Sequence, residues 1–280
     1  MEPVIVLDEE LGAPLHWNPA WGDFSAVEWT LTGAGAATIL AARLLSPSSS
    51  HATGGWGPDE DVREDLRLPT ETGRRVSREI SDITLTVSVG YPILIDSLLV
   101  AGWYRGNKDI ALKTSLINAE VIAITLAIQG ITNVTVSRER PYGRECGDEK
   151  TGLENDCVGT NRYRSFFSGH TSTAFAMAAA SCSHHINLSL YQDPTADAMS
   201  CVGGFVVAGL TGYLRISGDQ HYLTDVLTGA GVGTFVGFFV PWLFHYRDDG
   251  SDDALTHGAD DGVNLTVVPS GQGAAIIGTF

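Results

Sequence analysis

Six stretches of the chain are dominated by apolar residues: 26–45, 83–104, 116–137, 171–186, 198–214 and 222–246. Each is long enough to be read as a helix. The last carries no charged residue from Val226 to Tyr246, which is long enough to span a bilayer. Residues 121–137 and 198–214 are uncharged over 17 residues each, at the short end of that range. The first three stretches each hold a carboxylate, Glu28, Asp96 and Glu120, and the last holds Asp225 at its start. Such a charge costs about 2.5–3.5 kcal/mol at mid-membrane, and less where it faces the interior of a bundle. The pattern predicts an all-α protein. It fits a six-helix membrane-embedded bundle or a soluble helical bundle with an unusually apolar core, and the membrane bundle is preferred.

The polar stretches divide the chain further. Residues 1–25 form an acidic N-terminal segment, 26–246 a helical domain with its core at 80–246, and 247–280 an acidic linker and tail. Residues 1–25 have neither a basic n-region nor an apolar h-region, so they are not read as a secretory signal peptide, and the first apolar segment would act as its own uncleaved signal. Residues 59–78 mix Arg63, Arg67, Arg74, Arg75 and Arg78 with Asp59, Glu60, Asp61, Glu64, Asp65 and Glu71, and read as a solvated amphipathic stretch. Val263–Phe280 alternates weakly and suggests a short β-like hairpin or a loose tail.

Composition narrows the setting. Charged residues make up 18% of the chain, its formal net charge is −16 and its mean hydropathy is +0.06. That acidity argues against a nucleic-acid partner, which needs a basic face. Arg105, Lys108 and Lys113 lie between the second and third segments and suggest a cytoplasmic turn there. The opposite helix ends would then face the periplasm or the cell exterior. Of the four cysteines, Cys146 and Cys157 fall in one polar loop and are a disulfide candidate, which would imply an oxidising compartment. Cys182 and Cys201 are read as buried small hydrophobes in neighbouring segments, which could also approach each other. No metal-ligand spacing involves the cysteines. His184 and His185 read as a polar patch at a helix end.

The chemistry concentrates at three segment ends. His221 and Asp225 are four residues apart at the start of the sixth segment, on one helical face. A carboxylate there can accept the Nδ1 proton of the imidazole and leave Nε2 bare as nucleophile or base. Arg215 closes the fifth segment, and its planar fork of donors matches phosphate oxygens. Ser168-Gly169-His170 opens the fourth segment. Ser168 is read as an N-cap and Gly169 as a close-approach position, and helix N-terminal amides bind anions. His170 would sit beside the anion, ready to protonate a leaving oxygen. Arg138-Glu139-Arg140-Pro141 follows the third segment. If the segments alternate in direction, all these ends lie on one side.

These residues resemble the type 2 phosphatidic acid phosphatase superfamily, which includes the vanadium haloperoxidases. The family motifs are Lys-x6-Arg-Pro, Pro-Ser-Gly-His and Ser-Arg-x5-His-x3-Asp. Arg140-Pro141 matches the end of the first, Ser168-Gly169-His170 most of the second, and Arg215, His221 and Asp225 the third. The resemblance covers about residues 80–246. It implies a metal-independent phosphatase acting on a phosphate monoester or diphosphate, most naturally of a lipid, with no cofactor. By resemblance, His221 forms a phosphohistidine, Asp225 orients it and His170 is the general acid. Arg140, Arg215, Ser168 and the Gly169 amide would hold the phosphate.

The chain departs from the family at Asn133, Phe167 and Leu214, where the motifs have Lys, Pro and Ser. The loss of the lysine makes Arg138 a substitute candidate for phosphate binding. Two alternatives stay open. One is a haloperoxidase, which would hold vanadate in the same constellation. The other is a membrane bundle that binds an anionic lipid without turning it over. The implied partners are a small-molecule or lipid phosphate and the membrane lipids.

Overall fold

The computed structural model describes residues 14–146, 157, 159–247, 264–270 and 273–279. The acidic residues 1–13 and 248–263, and most of the loop between Cys146 and Cys157, lie outside the described residues. The chain divides into two units, Met1–Arg247 and Asp248–Phe280. The second contains an antiparallel pair, β1 (Asn264–Ser270) and β2 (Gly273–Thr279), with Asn264 opposite Thr279.

The first unit is helical among its described residues. Its elements are α1 (Ala26–Leu44), α2 (Asp59–Leu66), α3 (Glu71–Gly90), α4 (Lys108–Val136), α5 (Gly169–Leu188), α6 (Pro194–Ser217) and α7 (Leu223–Pro241). Two helices continue in wider, π-type turns: α3 through Tyr91–Tyr104 and α7 through Trp242–Tyr246. The six apolar segments correspond to α1 and α3–α7. Local signals set the starts: Ser25 and Glu28 form a capping box on α1, and Thr70, Asn107, Ser168 and Asp193 accept from first-turn amides of α3, α4, α5 and α6.

Among the described residues, four helices are long and apolar enough to cross a membrane: Glu71–Tyr104, Lys108–Val136, Pro194–Ser217 and Leu223–Tyr246. Their outward faces are apolar. Ile83, Leu94, Trp103, Val206 and Phe235 are all more than half exposed, as expected of a lipid-facing belt. The chain is an integral membrane protein.

The small-residue helix α5 lies at the centre, packed by α3, α4, α6 and α7. Ala174, Ala176, Met177, Ala179 and Ala180 on α5 are fully buried. On α7, Gly229, Gly233 and Gly237 recur every four residues along the contact line. A Cβ at those positions would lie 2.8 Å from the Ser168 carbonyl oxygen, 2.1 Å from that of Ser172 and 2.2 Å from that of Ala176. Only glycine permits this approach, which brings the start of α7 against the start of α5.

The carboxylates inside the apolar segments are all partnered. Asp96 accepts from the Ser181 hydroxyl (2.9 Å) and the Tyr191 hydroxyl (2.8 Å). Glu120 pairs with His245 at 2.9 Å. Glu28 accepts from the Ser25 amide. Buried charges persist when they are bonded in this way.

Three expectations need correction. His184 and His185 are not a surface patch. Both are buried, His185 between Asp197 (2.6 Å) and Asp96 (3.4 Å), and His184 between Tyr246 and Asn118. Cys182 and Cys201 are disulfide-bonded rather than free, because α5 and α6 pack closely enough to bring their Cα atoms to 4.6 Å. Residues 59–78 are solvated on one face only. Arg63 and Arg67 of α2 both donate to Asp219 in the loop between α6 and α7, and Arg74 and Ser77 are buried on α3.

Candidate active site

The bundle brings the three polar segment ends together. The strand-like stretch after α4 bonds to the stretch before α5: the Ser165 amide donates to the Arg138 carbonyl (3.0 Å), and the Arg140 amide donates to the Arg162 carbonyl (2.8 Å). The Ser168 amide donates to the Asp225 carbonyl (3.1 Å), joining α5 to α7. The Tyr142 amide donates to the Asp219 carbonyl (3.3 Å), joining the first motif to the loop that carries His221.

His221 is buried just ahead of α7. Its Nδ1 lies 2.8 Å from the Ser165 carbonyl oxygen. A carbonyl can only accept, so Nδ1 carries the proton and Nε2 is bare. The expected direct bond to Asp225 is absent, since Nδ1 and the nearer carboxylate oxygen are 3.7 Å apart. Asp225 instead accepts from the Ser165 hydroxyl (2.5 Å), the Tyr222 amide (2.9 Å) and Arg138 (2.6 Å). Asp225 and His221 therefore both bond to Ser165, the carboxylate to its hydroxyl and the imidazole to its carbonyl.

Arg138 is a correction to its assignment as a phosphate ligand. Its guanidinium is fully buried, bonded to Asp225 Oδ1 (2.6 Å) and Asp59 Oδ2 (2.7 Å). Its Cζ lies 3.9 Å from the Trp56 ring centroid and 4.3 Å from that of Tyr222. Both carboxylates and both ring faces are satisfied by this one cation, which has no access to a ligand. Asp59 also accepts from the Thr224 amide (2.8 Å) and hydroxyl (2.7 Å), so the short helix α2 is tied to the start of α7.

Arg140 and Arg215 meet at Gln220. Its Oε1 accepts from Arg140 Nη1 (2.8 Å) and from Arg215 Nη2 (3.4 Å). One oxygen atom thus already sits between the two guanidinium groups. Arg215 also donates to Ser81 (3.1 Å) and lies 3.5 Å from Asp82. His170 Nε2 bonds to Asp82 Oδ1 at 2.7 Å. Ser168 is buried, and its hydroxyl accepts from the Thr171 amide and hydroxyl as the N-cap of α5. At Gly169 a Cβ would approach Gln129 Nε2 to 3.1 Å.

Burial, then the positive charge of Arg140, lowers the His221 pKa to about 3. Burial, then Arg215, lowers that of His170 to about 4, against the opposing pull of Asp82. Both imidazoles are neutral at neutral pH in the ligand-free site.

Asn133 donates to the Gln129 carbonyl (3.0 Å), while its buried Oδ1 has no partner. It lines a cavity of about 320 Å³ that also reaches Arg140. Cys146 and Cys157 are disulfide-bonded, with Cα atoms 5.5 Å apart. Among the described residues no group of three or more His, Cys, Asp or Glu is placed to hold a metal ion.

The sequence profile of the PAP2 superfamily matches residues 115–249. Those residues belong to the PAP2 superfamily. They contain every motif residue placed above, from Asn133 to Asp225. The lipid A 1-phosphatase of Porphyromonas gingivalis is 38% identical over 91 residues, which cover 32% of this chain and 18% of that protein. The match thus spans less than a fifth of that relative's length. A crystal structure of a transmembrane PAP2-type phosphatidylglycerolphosphate phosphatase from Bacillus subtilis aligns over 77% of this chain and 94% of its own, with 19% identity and a TM-score of 0.49.

Residue reading missed Asp59, Ser81, Asp82, Ser165 and Gln220. Asp82 carried one signal, as the last charge before the second apolar segment. Ser165 carried none.

Proposed function

We propose that the chain is a lipid phosphatase that hydrolyses a phosphate monoester or diphosphate through a phosphohistidine at His221. The observation that carries this reading is the state of His221. It is buried, neutral and fixed in the tautomer with Nε2 bare, beside Arg140. The PAP2 membership and the lipid A 1-phosphatase relative support a phosphorylated lipid as substrate.

The phosphoryl oxygens displace Gln220 Oε1 from between Arg140 and Arg215 and take donors from both forks and from the Gly169 amide. A dianion there offsets the two cations that depress the imidazole pKa values. The pKa of His170 then rises, helped by Asp82, and the ring takes up a proton. His221 Nε2 attacks phosphorus as the bond to the leaving oxygen breaks, and His170 gives its proton to that oxygen. Neutral His170 next takes a proton from water as the water oxygen attacks the phosphohistidine. Phosphate leaves and Nε2 is bare again. Asp225, held by Arg138, Ser165 and Tyr222, stabilises the positive charge that develops on His221.

We further propose that this end of the bundle faces the periplasm or exterior. Support comes from the Cys146–Cys157 disulfide beside the site and from Arg105, Lys108 and Lys113 at the other end.

Rapid quenching with a ³²P-labelled lipid phosphate tests the chemistry. An acid-labile, base-stable phosphoenzyme is expected in the parent and not in His221→Gln. A labelled His221→Gln would exclude His221 as the nucleophile.

A further inference from the structure

The cavity beside Arg140 is larger than one phosphoryl group needs and carries cations that the reaction above does not use. Arg43, at the end of α1, and Arg164, ahead of α5, line it together with Arg140, Gln129, Asn133 and Asn161. Arg164 is anchored by donating to the carbonyls of Ala42 (2.9 Å) and Leu45 (2.5 Å), the last of which caps α1. Among the described residues neither Arg43 nor Arg164 is paired with a carboxylate, and burial and then the charge of Arg43 lower the Arg164 pKa. Two like charges thus converge on one cavity that has no carboxylate among its described lining residues. Such a cavity is built for an anion that arrives from outside.

We infer that Arg43 and Arg164 form a second anion subsite that binds the non-transferred phosphoryl group of a lipid diphosphate. Arg140 is common to the cavity and to the Gln220-bridged phosphate position. Arg140 can therefore bond to both phosphoryl groups of one diphosphate. In the hydrolysis, the bond between the transferred phosphorus and that bridging oxygen breaks. The lipid monophosphate departs with its charge held by Arg43 and Arg164, and His170 supplies less of the stabilisation than it does for an alcohol. The inference rests on the proposed phosphatase reading, and a binding measurement separates the two.

Methylenebisphosphonate and methylphosphonate are titrated calorimetrically into the full-length protein in detergent, for the parent, Arg164→Gln and Arg43→Gln. The parent is expected to bind the bisphosphonate at least about tenfold more tightly, a gain typical of one or two charge-assisted contacts. Each substitution should shrink that gap and leave the methylphosphonate Kd within about twofold. Arg43→Gln is the arm that preserves folding, because Arg43 is exposed at the end of α1. Equal affinity of the parent for the two ligands overturns the subsite. So does equal weakening of both ligands by the substitutions, since that would put these arginines at the single phosphate position. If the bisphosphonate preference holds while the parent releases no phosphate from any lipid, the subsite stands and the catalytic reading falls.

Discussion

Replacing Arg138 with Met separates a structural cation from a substrate ligand. The substitution keeps an unbranched apolar stem but removes a charge bonded to Asp225 at 2.6 Å and Asp59 at 2.7 Å, with all three side chains fully buried. Two carboxylates would be left facing each other without a counter-ion. Removing one partner of a buried ion pair costs about 3–5 kcal/mol. Loss of the contacts to Trp56 and Tyr222 adds about 0.5–2 kcal/mol. At roughly 2–4 °C per kcal/mol for a domain of this size, the midpoint of thermal unfolding should fall by about 7–28 °C. Circular dichroism in a mild detergent measures it. Adding Asp59→Asn to Arg138→Met should recover part of the loss, with a coupling above about 1 kcal/mol. The activity that survives at low temperature should show a lower kcat with KM little changed, because Asp225 is disturbed and the phosphate cradle is not. A midpoint within about 2 °C of the parent, together with a KM raised tenfold or more, would refute the reasoning and make Arg138 a phosphate ligand.

Asp82→Asn should lower kcat on an alkyl phosphate by about 10- to 100-fold and scarcely alter it on an aryl phosphate with a good leaving group, because His170 loses the carboxylate that favours its protonation; equal losses on both would remove Asp82 from the proton path. Gly233→Ala places a Cβ 2.1 Å from the Ser172 carbonyl oxygen, so it should destabilise the bundle by about 1–3 kcal/mol or more, whereas Gly231→Ala, with nothing within 4 Å, should be close to neutral in a parallel melt. His221 and His170 have pKa values depressed to about 3 and about 4 in the folded protein, so the unfolded chain binds more protons below about pH 6.5. Their contribution to stability is complete above that pH and is lost as pH falls toward 4, at up to about 1.4 kcal/mol per pH unit for each histidine; denaturant titrations at pH 7, 5.5 and 4.5 should show that decline, and it should be shallower in His221→Gln.

The apolar runs located the helices because lipid-facing and core-facing positions are both apolar in a membrane bundle, which makes the run itself the signal. Helix α3 shows where that signal ends. It begins at Glu71, twelve residues ahead of the run at 83, because Ser77 bonds to the Ser217 hydroxyl and Arg78 to the Gly218 carbonyl, while Arg74 turns back to the Leu68 and Pro69 carbonyls. A polar face that packs on polar loop backbone looks like solvated surface in a sequence. Helix α2 was hidden for the same reason, since the partner of Arg63 and Arg67 is Asp219, over 150 residues away. The spacing of His221 and Asp225 predicts that they are neighbours, and they lie 3.7 Å apart. It could not show that Asp225 turns back to the Tyr222 amide and leaves the Nδ1 proton to the Ser165 carbonyl. The joining of Cys182 to Cys201 likewise depends on how α5 and α6 pack, which no spacing rule encodes.

The proposed reaction turns on His221. Phosphate release from a lipid monophosphate and a lipid diphosphate in vesicles, compared between the parent and a folded His221→Ala, tests it most directly. The parent should release phosphate, and His221→Ala should fall to background, a loss of at least about 10³-fold for removal of a nucleophile. Release by His221→Ala at the parent's rate would contradict the account.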